Sequence, residues 1–158
     1  MKGFVQIIVV MSFVLVFLNS CDTNKVYEKN IEIEKGIWDN QKKAVFEVNI
    51  TDTLAVQNIY INVRNTELYQ YRNLYFFIKT SSPDGYCLVD TFECFLADLN
   101  GKWLGDGMGD IWDNKILYKR NILFPKPGIY TFELEQAMRH RYLPFIMEVG
   151  LRIEKVGS

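Results

Sequence analysis

In this chain of 158 residues, few side chains are able to do acid–base, nucleophilic or metal chemistry. Its single histidine, His140, stands between Arg139 and Arg141. A Ser-His-Asp or Cys-His arrangement would have to use it, and flanking cations are the setting of an exposed loop. A zinc site needs three or four His, Cys or carboxylate ligands. One histidine and the cysteines Cys87 and Cys94 do not supply them, because seven residues along a strand put the two thiols on opposite faces. At roughly 3.3 Å per residue they lie about 23 Å apart, which also prevents a disulfide. Both are expected as free thiols, Cys94 buried. Asp106, Asp110 and Asp113 offer oxygens to a hard cation, but their spacing does not match an Asp-x-Asx-x-Asx-Gly loop closed by a glutamate. Gly105, Gly107 and Gly109 alternate with Asp106, Met108 and Asp110, superficially like a phosphate-cradling loop. No helix pattern follows them, and the aspartates repel phosphate. The expectation is a chain that is not an enzyme and holds no metal or cofactor.

The one thiol in a reactive context is Cys21. Lys2 supplies the only charge before it, and Phe4 to Leu18 is apolar apart from Gln6 and Ser12. Leu18, Asn19 and Ser20 lead directly into the cysteine, the layout of a secretory signal ending on a small residue. The Leu-x-Ser-Cys ending resembles the bacterial lipobox, whose cysteine sulfur takes a diacylglyceryl group and becomes the mature N-terminus. This run of fifteen residues falls short of the roughly 20 that a membrane span needs. Residues 1–20 are therefore read as a lipoprotein signal peptide, 21–30 as a lipidated, polar tether, and 31–158 as one domain. With 18 basic and 19 acidic side chains, the chain has no cationic surplus to bind nucleic acid.

The domain reads as β throughout. Phe46, Val48 and Ile50 alternate with polar residues, as do Ile59, Ile61 and Val63, then Leu74, Phe76 and Ile78. Ser82 to Gly85 is a proline–glycine turn, and Tyr86 to Ala97 a long strand. Further strands follow at Lys115 to Phe124, Gly128 to Gln136 and Phe145 to Val156, with Val149, Leu151 and Ile153 inward. Glu135 to Tyr142 is expected to make one helical turn. Tyr69, Tyr71, Tyr75 and Phe77 are expected in the core, the alternative being an exposed aromatic patch. Turn signals at these short intervals predict an all-β antiparallel sandwich, immunoglobulin-like, of about seven to eight strands.

The densest unusual segment runs from Asp98 to Asp113. Its glycines permit tight turns, and Trp103, Asp106, Asp110 and Trp112 are its candidate partner-contact residues; the alternative is that both tryptophans pin the loop to the sandwich. A carbohydrate-binding surface with Trp103 and Trp112 as stacking platforms is a second functional reading.

Three blocks, Asn58 to Asn65, Asp90 to Gly105 and Phe124 to Arg139, together with Val149 to Lys155, resemble the GldH family of gliding-motility lipoproteins of Bacteroidota. That resemblance implies a non-enzymatic component of the cell envelope, lipid-anchored on the periplasmic side of the outer or inner membrane. Its partners would be other envelope proteins of the gliding apparatus and of the type IX secretion machinery coupled to it.

Overall fold

A computed structural model describes residues 23–157; the signal segment and Cys21 lie outside the described residues. Two antiparallel sheets carry the fold. The first has the order β1–β11–β4–β8–β7, built from β1 (Lys25–Glu32), β4 (Gln57–Thr66), β7 (Asp106–Met108), β8 (Ile111–Ile122) and β11 (Ile146–Lys155). The second has the order β3–β9–β5–β6, from β3 (Ala44–Ile50), β5 (Asn73–Ser81), β6 (Cys87–Phe95) and β9 (Gly128–Gln136). A two-stranded ribbon pairs β2 (Ile37–Asp39) with β10 (Tyr142–Pro144).

The alternating residues define the inner faces. Phe46, Val48, Ile50, Ile59, Ile61, Val63, Leu74, Phe76, Ile78, Val149, Leu151 and Ile153 are all buried in one cluster, because successive side chains on a strand point to opposite faces. Trp38 joins them: it packs on Phe76 with ring centres 5.7 Å apart, and its indole N–H donates to the Lys42 carbonyl at 2.8 Å.

Among the described residues, eleven strands replace the seven or eight expected. Seven were legible as alternating runs; β2, β7 and β10 are three residues each, too short to leave a periodic signal. β1 corrects the tether: Lys25 to Asn30, expected as a polar linker, pairs along β11. It is an edge strand with largely exposed side chains, only Tyr27 and Ile31 being half-buried, so its pairing comes from the backbone rather than from an apolar face.

No helical turn forms between Glu135 and Tyr142. β9 continues to Gln136, and the buried Gln136 amide donates to the carbonyls of His140 and Arg141 at 2.9 and 3.0 Å. Its oxygen accepts the Met138 N–H at 2.9 Å, so one side chain organises the bend that a helix would have satisfied with backbone bonds. The tyrosine-rich segment divides. Tyr69 is buried, whereas Phe77 is 45% exposed, because the outer face of the β3–β9–β5–β6 sheet has no covering layer among the described residues. Cys94 is buried and Cys87 exposed, both free, and burial raises the Cys94 thiol pKa.

The connections give the sandwich two distinct ends. Lys25, Ile50, Gln57, Cys87, Ile122, Gly128 and Lys155 meet at the amino-terminal end, and Thr66, Phe95, Ile111, Gln136 and Ile146 at the other.

Candidate functional site

The loop between β6 and β8 occupies the end remote from the amino terminus. The Asp98 carboxylate begins it, accepting the N–H groups of Asn100 and Lys102 at 2.8 and 3.0 Å. Gly101 then turns at φ 82. The chain returns alongside its origin: Ala97 bridges Trp103, and the Leu104 N–H reaches the Leu96 carbonyl at 2.9 Å. It next forms a hairpin in which Met108 opposes Ile111. Gly109, at φ 66, takes the first of the two turn positions, where that backbone suits the twist of the flanking strands. The Glu67 N–H donates to Asp110 O at 2.8 Å and ties this turn to the β4–β5 connection.

The other two glycines serve close approach. A Cβ on Gly105 would lie 2.5 Å from the Asp113 carbonyl oxygen and 2.7 Å from the Asn114 side-chain oxygen, and one on Gly107 would lie 2.7 Å from the Trp112 ring. The loop is therefore pressed against its own hairpin. Trp103 and Trp112 are both half-buried, their ring centres 6.4 Å apart and their planes inclined at 32°. They are not a flat, open pair of the kind on which a sugar ring stacks.

Asp106 and Asp113 are direct cross-strand partners, a like-charge pairing that costs stability. Arg64 on β4 offsets it: its Nε lies 2.6 Å and its Nη2 3.2 Å from the two Asp113 carboxylate oxygens, and a third nitrogen reaches Glu148. The Asp113 hydrogen bond, with the charge of both carboxylates, holds the guanidinium pKa above its usual value. Beneath the loop lies a buried amide pair, with Asn114 Nδ2 donating to Asn65 Oδ1 at 2.9 Å. Among the described residues, the Asn114 oxygen and the Trp112 indole nitrogen have no hydrogen-bond partner.

Asp106 and Asp110 are exposed. So are three residues that the sequence did not single out: Leu99, Leu104 and Met108, at 87%, 58% and 83% exposure. Their signal was present, since each is a large apolar residue in a Gly/Asp-rich turn region with no alternating partner. His140 stacks on Tyr71, ring centres 6.5 Å apart. Among the described residues, no three His, Cys, Asp or Glu side chains converge on a possible metal position, and no helix is long and apolar enough to cross a membrane.

Fold and loop together define a single β-sandwich that presents a braced, apolar-tipped loop at one end. The GldH lipoprotein family matches residues 25–153, and the chain belongs to that family. It is 35% identical over 150 residues to a gliding motility lipoprotein GldH homolog of Christiangramia forsetii, covering 90% of this chain and 91% of that one. It is 28% identical over 155 residues to the gliding motility lipoprotein GldH of Flavobacterium johnsoniae, covering 94% of each. Among solved structures, one of the infectious bursal disease virus Gx strain overlaps 85% of this chain and 30% of its own at 12% identity and a TM-score of 0.32.

Proposed function

We propose that this chain is a non-enzymatic lipoprotein of the cell envelope, held to a membrane through lipid on Cys21, that serves as an interaction component of the gliding motility machinery. The observation that carries this reading is the family match across nearly the whole sandwich, supported by two relatives named for gliding motility. A link to type IX secretion belongs to the same proposal. The partner is another envelope protein, met by the Asp98–Asp113 loop through Trp103, Asp106, Asp110 and Trp112, with Leu104 and Met108 beside them. The inclined, half-buried Trp103 and Trp112 rings do not favour the carbohydrate reading.

The test is allelic replacement followed by measurement of cell movement, secretion, protein abundance and lipid labelling. Cys21→Ala is expected to lose fatty-acid labelling and membrane attachment; retained labelling overturns the anchor. Asp106→Asn with Asp110→Asn, both exposed, should leave abundance unchanged and abolish movement. Full movement in a normally abundant variant would remove these aspartates from the contact. Trp112→Ala separates contact from support, since an internal anchor would lower melting temperature and abundance together.

A further inference from the structure

At the amino-terminal end the two sheets do not close on one another. β6 is the edge of its sheet, and β7 covers the free side of β8 only over Ile111 to Asp113. Below that, no backbone among the described residues joins β6 to β8, and the gap is a cleft of about 530 Å³, within the roughly 300–1,000 Å³ of ligand pockets. Its wall is mostly apolar, from Ile59, Leu88, Tyr118, Ile122, Phe124 and Phe132, with Thr80, Ser82 and Tyr86 adding hydroxyl groups. The charged groups beside it are already paired. Asp90 accepts from the Tyr118 hydroxyl at 2.6 Å and meets Lys119 Nζ at 2.7 Å, while Asp84 pairs with Lys126 at the mouth. Leu88 and Leu123 stay 44% and 56% exposed. Apolar surface dominates the wall and its charged side chains are paired with one another, so the site suits a flexible hydrocarbon.

The amino terminus emerges at this same end. The Asn24 carbonyl still accepts the Lys155 N–H at 2.8 Å. The three residues from there back to Cys21 reach about 10 Å. Across four adjacent strands, Lys25 pairs with Glu154, the adjoining Lys155 with Gln57, and Gln57 with Ile122. At about 4.8 Å per strand, Ile122 lies about 14 Å from Lys25. The tether thus covers most of the way, and the thioether, glyceryl group and acyl chain extend beyond it.

We infer that the cleft between β6 and β8 houses one acyl chain of the lipid on this protein's own Cys21. The inference rests on the proposed lipidation. A chain housed there is withdrawn from the bilayer, and because one chain anchors marginally where two anchor stably, occupancy of the cleft would set how long the protein stays on its membrane.

The test is to grow cells on a fatty acid carrying a terminal diazirine, prepare membranes with the full-length protein, irradiate, and map cross-linked peptides. The expected result is intramolecular cross-links from the Cys21 lipid to residues 86–92 and 118–132. They should fall several-fold in Leu88→Glu and Leu123→Glu, half-exposed sites whose variants should keep the wild-type melting temperature and lipidation. Absence of label from the Cys21 peptide would defeat the lipidation reading. Label on Cys21 that cross-links only to membrane lipid, to residues 23–30 or to another protein would defeat the cleft assignment alone. So would equal labelling of the cleft in Cys21→Ala protein mixed with vesicles containing the same fatty acid, which would make it a general lipid site.

Discussion

The two ends of the sandwich face the same difficulty, the open side between an edge strand of each sheet, and resolve it differently. At the loop end, β7 and the Ala97–Trp103 bridge lay backbone across the opening. That closure requires two glycines pressed on their neighbours, a pair of facing aspartates, and an indole N–H and an amide oxygen without partners. At the amino-terminal end no strand of the described residues crosses the opening. Side chains span it instead, through Asp90 with Tyr118 and Lys119 and an edge-on contact of Phe92 with Tyr118 at 5.0 Å. Backbone closure gives a rigid, shaped tip, whereas side-chain closure leaves an apolar cleft. On the two proposals above, the first end serves specific contact and the second accommodates a flexible chain.

The largest expected effect abolishes the contrast. Phe76 is fully buried between the sheets against Trp38, and Phe76→Ala should cost about 3–5 kcal/mol. That is a large share of the roughly 5–15 kcal/mol that holds an ordinary domain. Denaturant titration is expected to show one cooperative transition shifted for probes at both ends. Two separate transitions would mean that the ends fold as independent units.

A glycine substitution should act on one end alone. In Gly105→Ala the new methyl meets a backbone carbonyl oxygen at 2.5 Å, which cannot swing aside as a flexible side-chain tip would. Overpacking of this kind costs about 1–3 kcal/mol. Hydrogen exchange should quicken for residues 97–114 and stay as in the wild type for residues 25–30 and 150–156. Uniform acceleration would show that the loop is part of the global folding unit.

How much of this was legible in the sequence follows from the length of each alternating run. Val48, Ile61, Phe76 and Leu151 announced their faces because each sits in a strand of seven residues or more, long enough for a period of two to repeat. Three-residue β7 could not repeat anything, so the hairpin that shapes the candidate site was invisible and its glycines read only as turn formers. Gly105 and Gly107 serve instead to admit close neighbours, which depends on what lies across the hairpin. Trp38 carries no such signal, because its partner Phe76 lies 38 positions away in sequence. The cleft left no trace either, since it arises where a strand is missing.

Acid should loosen the amino-terminal end through its pins. The Lys119 and Tyr118 hydrogen bonds hold the Asp90 pKa below its ordinary value. A carboxylate with a depressed folded-state pKa contributes stability above its unfolded value, near 4, and loses it as pH falls through the folded value. Glu133, held down by Lys79 and Lys43, behaves likewise. Stability should therefore decline as pH drops from about 5 towards 2, and because these pairs are partly exposed the Asp90 share should be at most about 1 kcal/mol. Asp90→Asn should flatten that part of the profile in thermal melts. An unchanged acid limb would show that the pin contributes nothing.

The smallest effect on folding sharpens the comparison most. Met108 is 83% exposed and sits in the three-residue strand β7, so its side chain has little packing to lose. Met108→Gln should change stability by no more than about 0.5 kcal/mol. Trp112, half-buried against Gly107, is built into the support of the tip, whereas Met108 belongs only to its outer surface. If the loop meets an envelope partner through an apolar contact, Met108→Gln should reduce cell movement without altering melting temperature or abundance. Leu104→Gln, at 58% exposure, should do the same. Trp112→Ala should lower movement together with stability. Full movement in a Met108→Gln, Leu104→Gln double variant would show that the apolar tip is not the contact. The partner would then have to meet the charged hairpin face, where Arg64 grips Asp113.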